Sequence, residues 1–227
     1  MNKTKDMKYG DDRYTEPWID AYVFHPLSDK LSHILYKFGL TPNQVTFLST
    51  ISGLYSAYLL YNNKYTQAAI FLMIGHLLDC VDGRLARNYD MGSSFGEAFD
   101  SVSDISEHLV FLLVLFIKSK MNLILAFIIM IIYFICMIWH GLCEALKIYK
   151  EKGHDNFLKD KADNGDESMM YKIYLTSVIK PSYLTYRKIM PKYDEKKIYK
   201  YLSVVKWFGP GHVNLFFMGI MYFLNRL

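Results

Sequence analysis

Apolar runs of near-helical length alternate with short polar breaks along most of this chain. Residues 18–38, WIDAYVFHPLSDKLSHILYKF, set Trp18, Ile19, Tyr22, Leu27, Leu31, Ile34, Leu35 and Phe38 among polar residues at close to helical spacing, with Pro26 as a break. That pattern suits an amphipathic helix in the plane of a membrane interface, and equally a surface helix on a soluble core. Thr41 follows as a helix cap, with Pro42 in the first turn where proline is tolerated. The run from Val45 to Tyr61 is nearly long enough to cross a bilayer, which takes about 20 residues. Asn62, Asn63 and Lys64 predict a turn. A second run, Ala68 to Leu78, is apolar apart from Gly75 and His76 and leads into a cluster of carboxylates. A third helix is expected from near Gly96, through His108, to Lys118. Met121 to Trp139 is the most apolar stretch, with no charge, glycine or proline and with Asn122 as the polar exception at its edge. A soluble core helix rarely reads so apolar all round. Residues 151–168 read as a loop and 169–190 as a segment along the surface. In residues 207–224, Pro210 and Gly211 mark a break before a short apolar span from Val213 to Leu224.

Composition changes the picture in one respect. The mean hydropathy of the 227 residues is +0.08, low for a chain built of membrane helices. The mean hides a partition. Residues 39–146 hold 5 Lys/Arg and 8 Asp/Glu, whereas residues 147–206 hold 14 Lys/Arg and 8 Asp/Glu, a local net of +6. The expected fold is therefore all-α: a polytopic integral membrane protein with five or six transmembrane helices and an N-terminal interfacial amphipathic helix. Residues 1–17 are expected to be a flexible tail without the apolar core of a signal peptide, and 18–227 a single membrane domain. The lysine-rich segment 147–206 belongs on the cytoplasmic side. Counting back, the hairpins at 62–64 and 118–120 fall outside, and the carboxylate-rich junction falls inside. Cys80, Cys136 and Cys143 form no disulfide framework and no paired metal-ligand spacing, and read as free thiols.

The chemistry concentrates between the second and third runs, LLDCVDGRLARNYDMGSSFGEAFDSVSDISEH. Asp79 and Asp82 are spaced i, i+3, and Asp100 and Asp104 are spaced i, i+4, so each pair shares a helix face. Two helices meeting at the membrane edge would bring these four carboxylates together. Four like charges there are costly unless a cation neutralises them. Clustered hard oxygen ligands favour magnesium, manganese or calcium over zinc. Gly83, Ala86 and Gly96 are small residues at helical spacing, which let a second backbone or a flat ligand approach closely. A metal cluster beside such a slot suits a nucleoside diphosphate.

Asp79-x-x-Asp82-Gly83-x-x-Ala86-Arg87, eight residues, then Gly96-x-x-x-Asp100-x-x-x-Asp104 resembles the full signature of the CDP-alcohol phosphotransferase family. Thr41-Pro42-Asn43-Gln44-Val45-Thr46 likewise resembles the family's entry into its first span. The resemblance covers residues 18–146 well and 207–224 loosely. It implies transfer of a phosphoalcohol group from a CDP-alcohol donor to an alcohol acceptor, with release of CMP. It implies that Asp79, Asp82 and Asp100 bind divalent Mg2+ or Mn2+ and that Asp104 is the general base and touches a metal. Gly83, Ala86 and Gly96 would line the cytidine slot, and Arg87 would bind phosphate or organise the carboxylates. A homodimer in the lipid bilayer is also implied. The donor it implies first is CDP-diacylglycerol. The alternatives are a CDP-choline or CDP-ethanolamine donor with diacylglycerol as acceptor, and a non-enzymatic cation-binding membrane protein.

Other residues carry blander expectations. Asp90 and Glu97 read as solvated or capping residues. Glu107 and His108 read as interfacial spacers, His76 as a hydrogen-bonded interior histidine, and His140 with Glu144 as a helix-end pair. The basic run Lys192–Lys206 suits anionic headgroups rather than nucleic acid.

Overall fold

A computed structural model describes residues 17–119, 168–181 and 209–224, together with 122, 124, 127, 128, 130–133, 135 and 184. The expectations for 1–16, for most of Met121–Trp139 with the His140–Glu144 pair, for the 151–167 loop and for Lys192–Lys206 lie outside these residues. Every element among the described residues is helical, in agreement with the all-α expectation.

A π-helical turn, Asp20–Phe24, runs directly into α1, His25–Lys37. Pro26 does not break this segment. It sits in the first turn of α1, where the π-helical turn gives way to the α-helix. Gly39, at φ 77°, turns the chain towards α2, Pro42–Tyr61. Thr41 and Gln44 cap α2 reciprocally: the Thr41 hydroxyl accepts from the Gln44 amide, and the Gln44 side chain accepts from the Thr41 amide. After the turn at Asn62 and Asn63, α3 runs as one helix over Tyr65–Asn88, ten residues past the end of its apolar run. The Ser93 hydroxyl accepts from the Gly96 amide at the start of α4, Ser94–Ser119. A short helix, α5, Met169–Tyr174, continues into a π-helical turn, Leu175–Ile179. Residues Pro210–Leu224 form α6, which starts at the predicted break.

Helix α2 packs against both α3 and α4, α1 lies on α3, and α6 closes against α3. The main core joins Leu59, Leu60, Leu72, Phe111, Leu112, Phe217 and Met221. A smaller cluster of Val45, Val81 and Leu85 packs beneath Leu31 and Leu35 of α1. The seam between α2 and α3 is polar and narrow. Ser49, Ser52 and Ser56 of α2 donate to the carbonyls of Gly75, Phe71 and Ala68, at 2.9, 2.8 and 2.7 Å. A Cβ added to Gly75 would stand 3.3 Å from the Gly53 amide nitrogen and 3.4 Å from the Ser49 carbonyl oxygen, so the two backbones nearly touch. The segment 169–181 does not simply lie on the surface: Tyr171 and Ile179 are buried, and α5 packs on α4.

No helix among the described residues is long and apolar enough to cross a membrane. Helix α4 carries Asp104, Glu107 and Lys118, and α2 carries its serines and threonines, which makes both less apolar.

Candidate functional site

The last turns of α3 and the first turns of α4 supply the site. Because α3 stays helical past Leu78, the i, i+3 spacing of Asp79 and Asp82 puts both side chains on one face, from which they reach towards Asp100 of α4. Oxygens of Asp79, Asp82 and Asp100 all lie within 4.8 Å of one another. Asp82 is buried, and the Thr46 hydroxyl at the start of α2 donates to its Oδ2 at 2.5 Å. Asp104 stands outside this group. It lies one turn further along α4 and, with Asp79, lines a cavity among α2, α3, α4 and α6. Three of the four predicted carboxylates are thus gathered, and the fourth adjoins them from the next turn.

The small residues sit where crowding would be severe. The Arg87 guanidinium lies over Gly83, with its nitrogens 3.1 and 3.3 Å from where a Cβ would stand. A Cβ on Gly96 would meet the Asn43 side-chain oxygen at 2.7 Å and the Ser93 hydroxyl at 2.9 Å, so Gly96 lets the start of α4 pass the start of α2. Ala86 is half-buried on the α3 turn beyond Gly83. Asp90 is exposed at φ 54° in the α3–α4 turn, and Glu97 lies in the first turn of α4, where the helix N-terminus favours a negative charge.

The site residues fit a hard divalent cation. Three carboxylates from two helices converge, an all-oxygen donor set of the kind that magnesium and manganese take. Thr46 turns the second oxygen of Asp82 and so orients it, as the outer partners of metal ligands commonly do.

Around the site the structure adds residues that spacing did not single out. His76 is buried and hydrogen-bonded, as expected, but its partner is Asp20, whose Oδ1 lies 2.7 Å from Nε2. The other oxygen of Asp20 accepts from the Gly211 amide at the start of α6, at 3.3 Å. One carboxylate therefore ties the N-terminal segment to α3 and α6, one turn from Asp79. The only available signal was an acid inside an otherwise apolar stretch. Glu107 and His108 are not spacers. Both line the cavity with Asp104, and the Glu107 carboxylate is tucked against Gly53, where a Cβ would run into it.

The sequence profile of the CDP-alcohol phosphatidyltransferase family matches residues 39–159. The chain is 36% identical over 86 residues to an archaetidylinositol phosphate synthase of Pyrococcus horikoshii, covering 38% of this chain and 45% of that protein. It is 31% identical over 97 residues to a phosphatidylinositol phosphate synthase of Mycobacterium marinum, covering 42% of each. It is 34% identical over 90 residues to a bifunctional IPC transferase and DIPP synthase of Aquifex aeolicus, covering 37% of this chain and 20% of that protein. The chain thus spans less than half the length of these curated relatives.

Proposed function

Because the chain belongs to the CDP-alcohol phosphatidyltransferase family, we propose that it transfers a substituted phosphate from a CDP-alcohol, CDP-diacylglycerol first, to a hydroxyl acceptor and releases CMP. The observation that carries this reading is the convergence of Asp79, Asp82 and Asp100 beside Gly83 and Gly96 at the α3–α4 junction. Asp79, Asp82 and Asp100 would hold a divalent cation, Mg2+ or Mn2+, which offsets negative charge on the phosphates and on departing CMP. Gly83, Ala86 and Gly96 leave room for the cytidine, and Arg87 beside Gly83 supplies a cation for the diphosphate. Asp104 accepts the proton of the acceptor hydroxyl as the new bond to phosphorus forms and the bond to CMP breaks. Two relatives bear the names of inositol phosphate lipid synthases, which supports inositol phosphate as the first acceptor to test.

The same reading places the chain in a bilayer, with the site at the cytoplasmic face. It is supported by the outward apolar surface of α2 and α4, where Phe47, Leu48, Ile51, Leu113 and Ile117 are all exposed. Residues 18–227 act as one membrane domain, and the homodimer belongs to the same proposal.

The test is CMP release by the purified chain with manganese. CDP-diacylglycerol, CDP-choline and CDP-ethanolamine are each supplied with inositol phosphate, glycerol phosphate, serine or diacylglycerol. Release with CDP-diacylglycerol that stops on chelation and returns with manganese is the expected result. No CMP from any pair would leave a non-enzymatic cation-binding protein instead.

A further inference from the structure

We propose that the cavity beyond the carboxylate centre seats a compact cation held by Glu107, His108 and Asn214. The cavity lies among α2, α3, α4 and α6 and measures about 40 Å3, room for a small ion. Asp79 and Asp104 form part of its wall, and no lysine or arginine is among its lining residues.

Three buried polar atoms on its wall have no hydrogen-bond partner among the described residues: Glu107 Oε1, His108 Nε2 and Asn214 Oδ1. Asn214 is only 3% exposed. The three atoms share a chemistry. His108 Nδ1 lies 2.8 Å from the Asp104 carbonyl oxygen, which can only accept, so Nδ1 carries the hydrogen and donates. In the neutral ring, Nε2 then offers a lone pair. Glu107 offers a carboxylate oxygen and Asn214 an amide oxygen. With Glu107 ionised, three acceptors on one small cavity cannot satisfy one another, and buried acceptors left unmet are costly. A water molecule brings two hydrogens and leaves the carboxylate charge uncompensated. A cation meets all three and compensates the charge.

The remaining wall groups agree. His76 also lines the cavity, but its Nε2 is engaged with Asp20 at 2.7 Å. Gly53 holds the Glu107 carboxylate close against α2, so this side chain is fixed within the bundle rather than extended towards solvent. None of Glu107, His108 and Asn214 belongs to the group of Asp79, Asp82 and Asp100, so the seat has ligands of its own while adjoining that centre through Asp79. A carboxylate, an imidazole and an amide oxygen suit a metal ion, and equally a primary ammonium group. The cation is therefore either an ion of its own or the ammonium of an amino-alcohol acceptor. Only the second source rests on the transfer reading.

The experiment uses the purified full chain in detergent, held at saturating Mg2+. Its thermal unfolding midpoint is followed while KCl, MnCl2 or ethanolammonium chloride is titrated, with tetraethylammonium chloride keeping ionic strength constant. The expected result is a saturable rise in midpoint with at least one of these cations. Its half-saturation should weaken about tenfold or more in Glu107→Gln and in Asn214→Leu. A response to K+ or Mn2+ identifies an ion of its own, and a response to ethanolammonium alone identifies the acceptor's ammonium. Stabilisation by Mg2+ alone, titrated separately, should be unchanged in both variants, so a failure of the first centre reads differently from a failure of the seat. No saturable rise with any cation, or an equal rise in wild type and both variants, overturns the proposal in favour of a water-filled chamber. Asn214→Leu decides the matter alone if Glu107→Gln does not fold.

Discussion

Asp104 and Asp20 are both carboxylates near the α3–α4 junction, yet they should fail in different ways. Asp104 stands one turn beyond the three gathered carboxylates and faces the cavity. Asp104→Asn removes a proton acceptor and keeps the shape. CMP release should fall by about a hundredfold or more, while binding of the CDP donor, measured by calorimetry, stays near wild type. Unchanged turnover in that variant would refute its role as the base. Asp20 touches none of the three gathered carboxylates. It joins His76 and Gly211, 56 and 191 positions away in sequence. Asp20→Asn weakens both bonds of a buried carboxylate, and about 1–3 kcal/mol of stability should go. The expected readout is a lower unfolding midpoint with the half-saturation for Mg2+ unchanged. A midpoint equal to wild type would show that the tie is dispensable. The signature acids could be named in advance because their partners lie within one helix turn or across one short junction. Asp20 could not, since its partners are set by packing alone.

At the scale of elements, the α2–α3 seam turns small residues into geometry. Ser49, Ser52 and Ser56 recur at helical spacing on α2 and reach three carbonyls of α3. Each serine replaced by alanine should cost about 0.6 kcal/mol, since such bonds between helices are individually weak. Gly75→Leu is the severe change. Its Cβ would meet backbone atoms of Gly53 and Ser49, which cannot rotate away, so α2 and α3 must separate. Separation would also move Thr46 from Asp82 and carry α3 away from Asp100. Loss of Mg2+ stabilisation in Gly75→Leu, with only small shifts in the serine variants, is the expected pattern. Equal behaviour of all four would mean that the seam does not position the site. Helix periods and turn residues made α2, α3 and α4 legible, and the Thr41 cap and the 62–64 turn stand where the sequence puts them. Pro26 misled because a proline reads as a break from sequence alone, whereas a helix entering from a π-helical turn takes it in the first turn. Glu107 misled for another reason: its polarity suggests solvent, and only the missing Cβ of Gly53 gives its carboxylate a place inside.

For the whole molecule, mean hydropathy and helix length pull against the outward surface. The average of +0.08 is low for a chain built of membrane helices, and no helix among the described residues is long and apolar enough to span. The average is lowered chiefly by the charged segment 147–206, and the apolar character of α2 and α4 by the hydroxyls that bind one helix to the next and the acids that face the site. These groups face inward, where they meet one another. On the outside, Phe47, Leu48, Ile51 and Tyr58 of α2 and Leu113 and Ile117 of α4 are exposed, and Ile70 and Ile74 of α3 extend the apolar face. A water-soluble protein rarely shows apolar patches of this extent, whereas hydrocarbon accepts them without cost. A chain that turns its polar groups inward and an apolar surface outward should partition with lipid even though no helix among the described residues is long and apolar enough to span. Membranes from cells producing the full chain, washed at high salt and then at alkaline pH, should retain it in the pellet, and detergent should release it. Aqueous extraction of the full chain by the alkaline wash would overturn the bilayer assignment. Metal-dependent CMP release by that same aqueous fraction would show that the carboxylate centre works without a membrane around it.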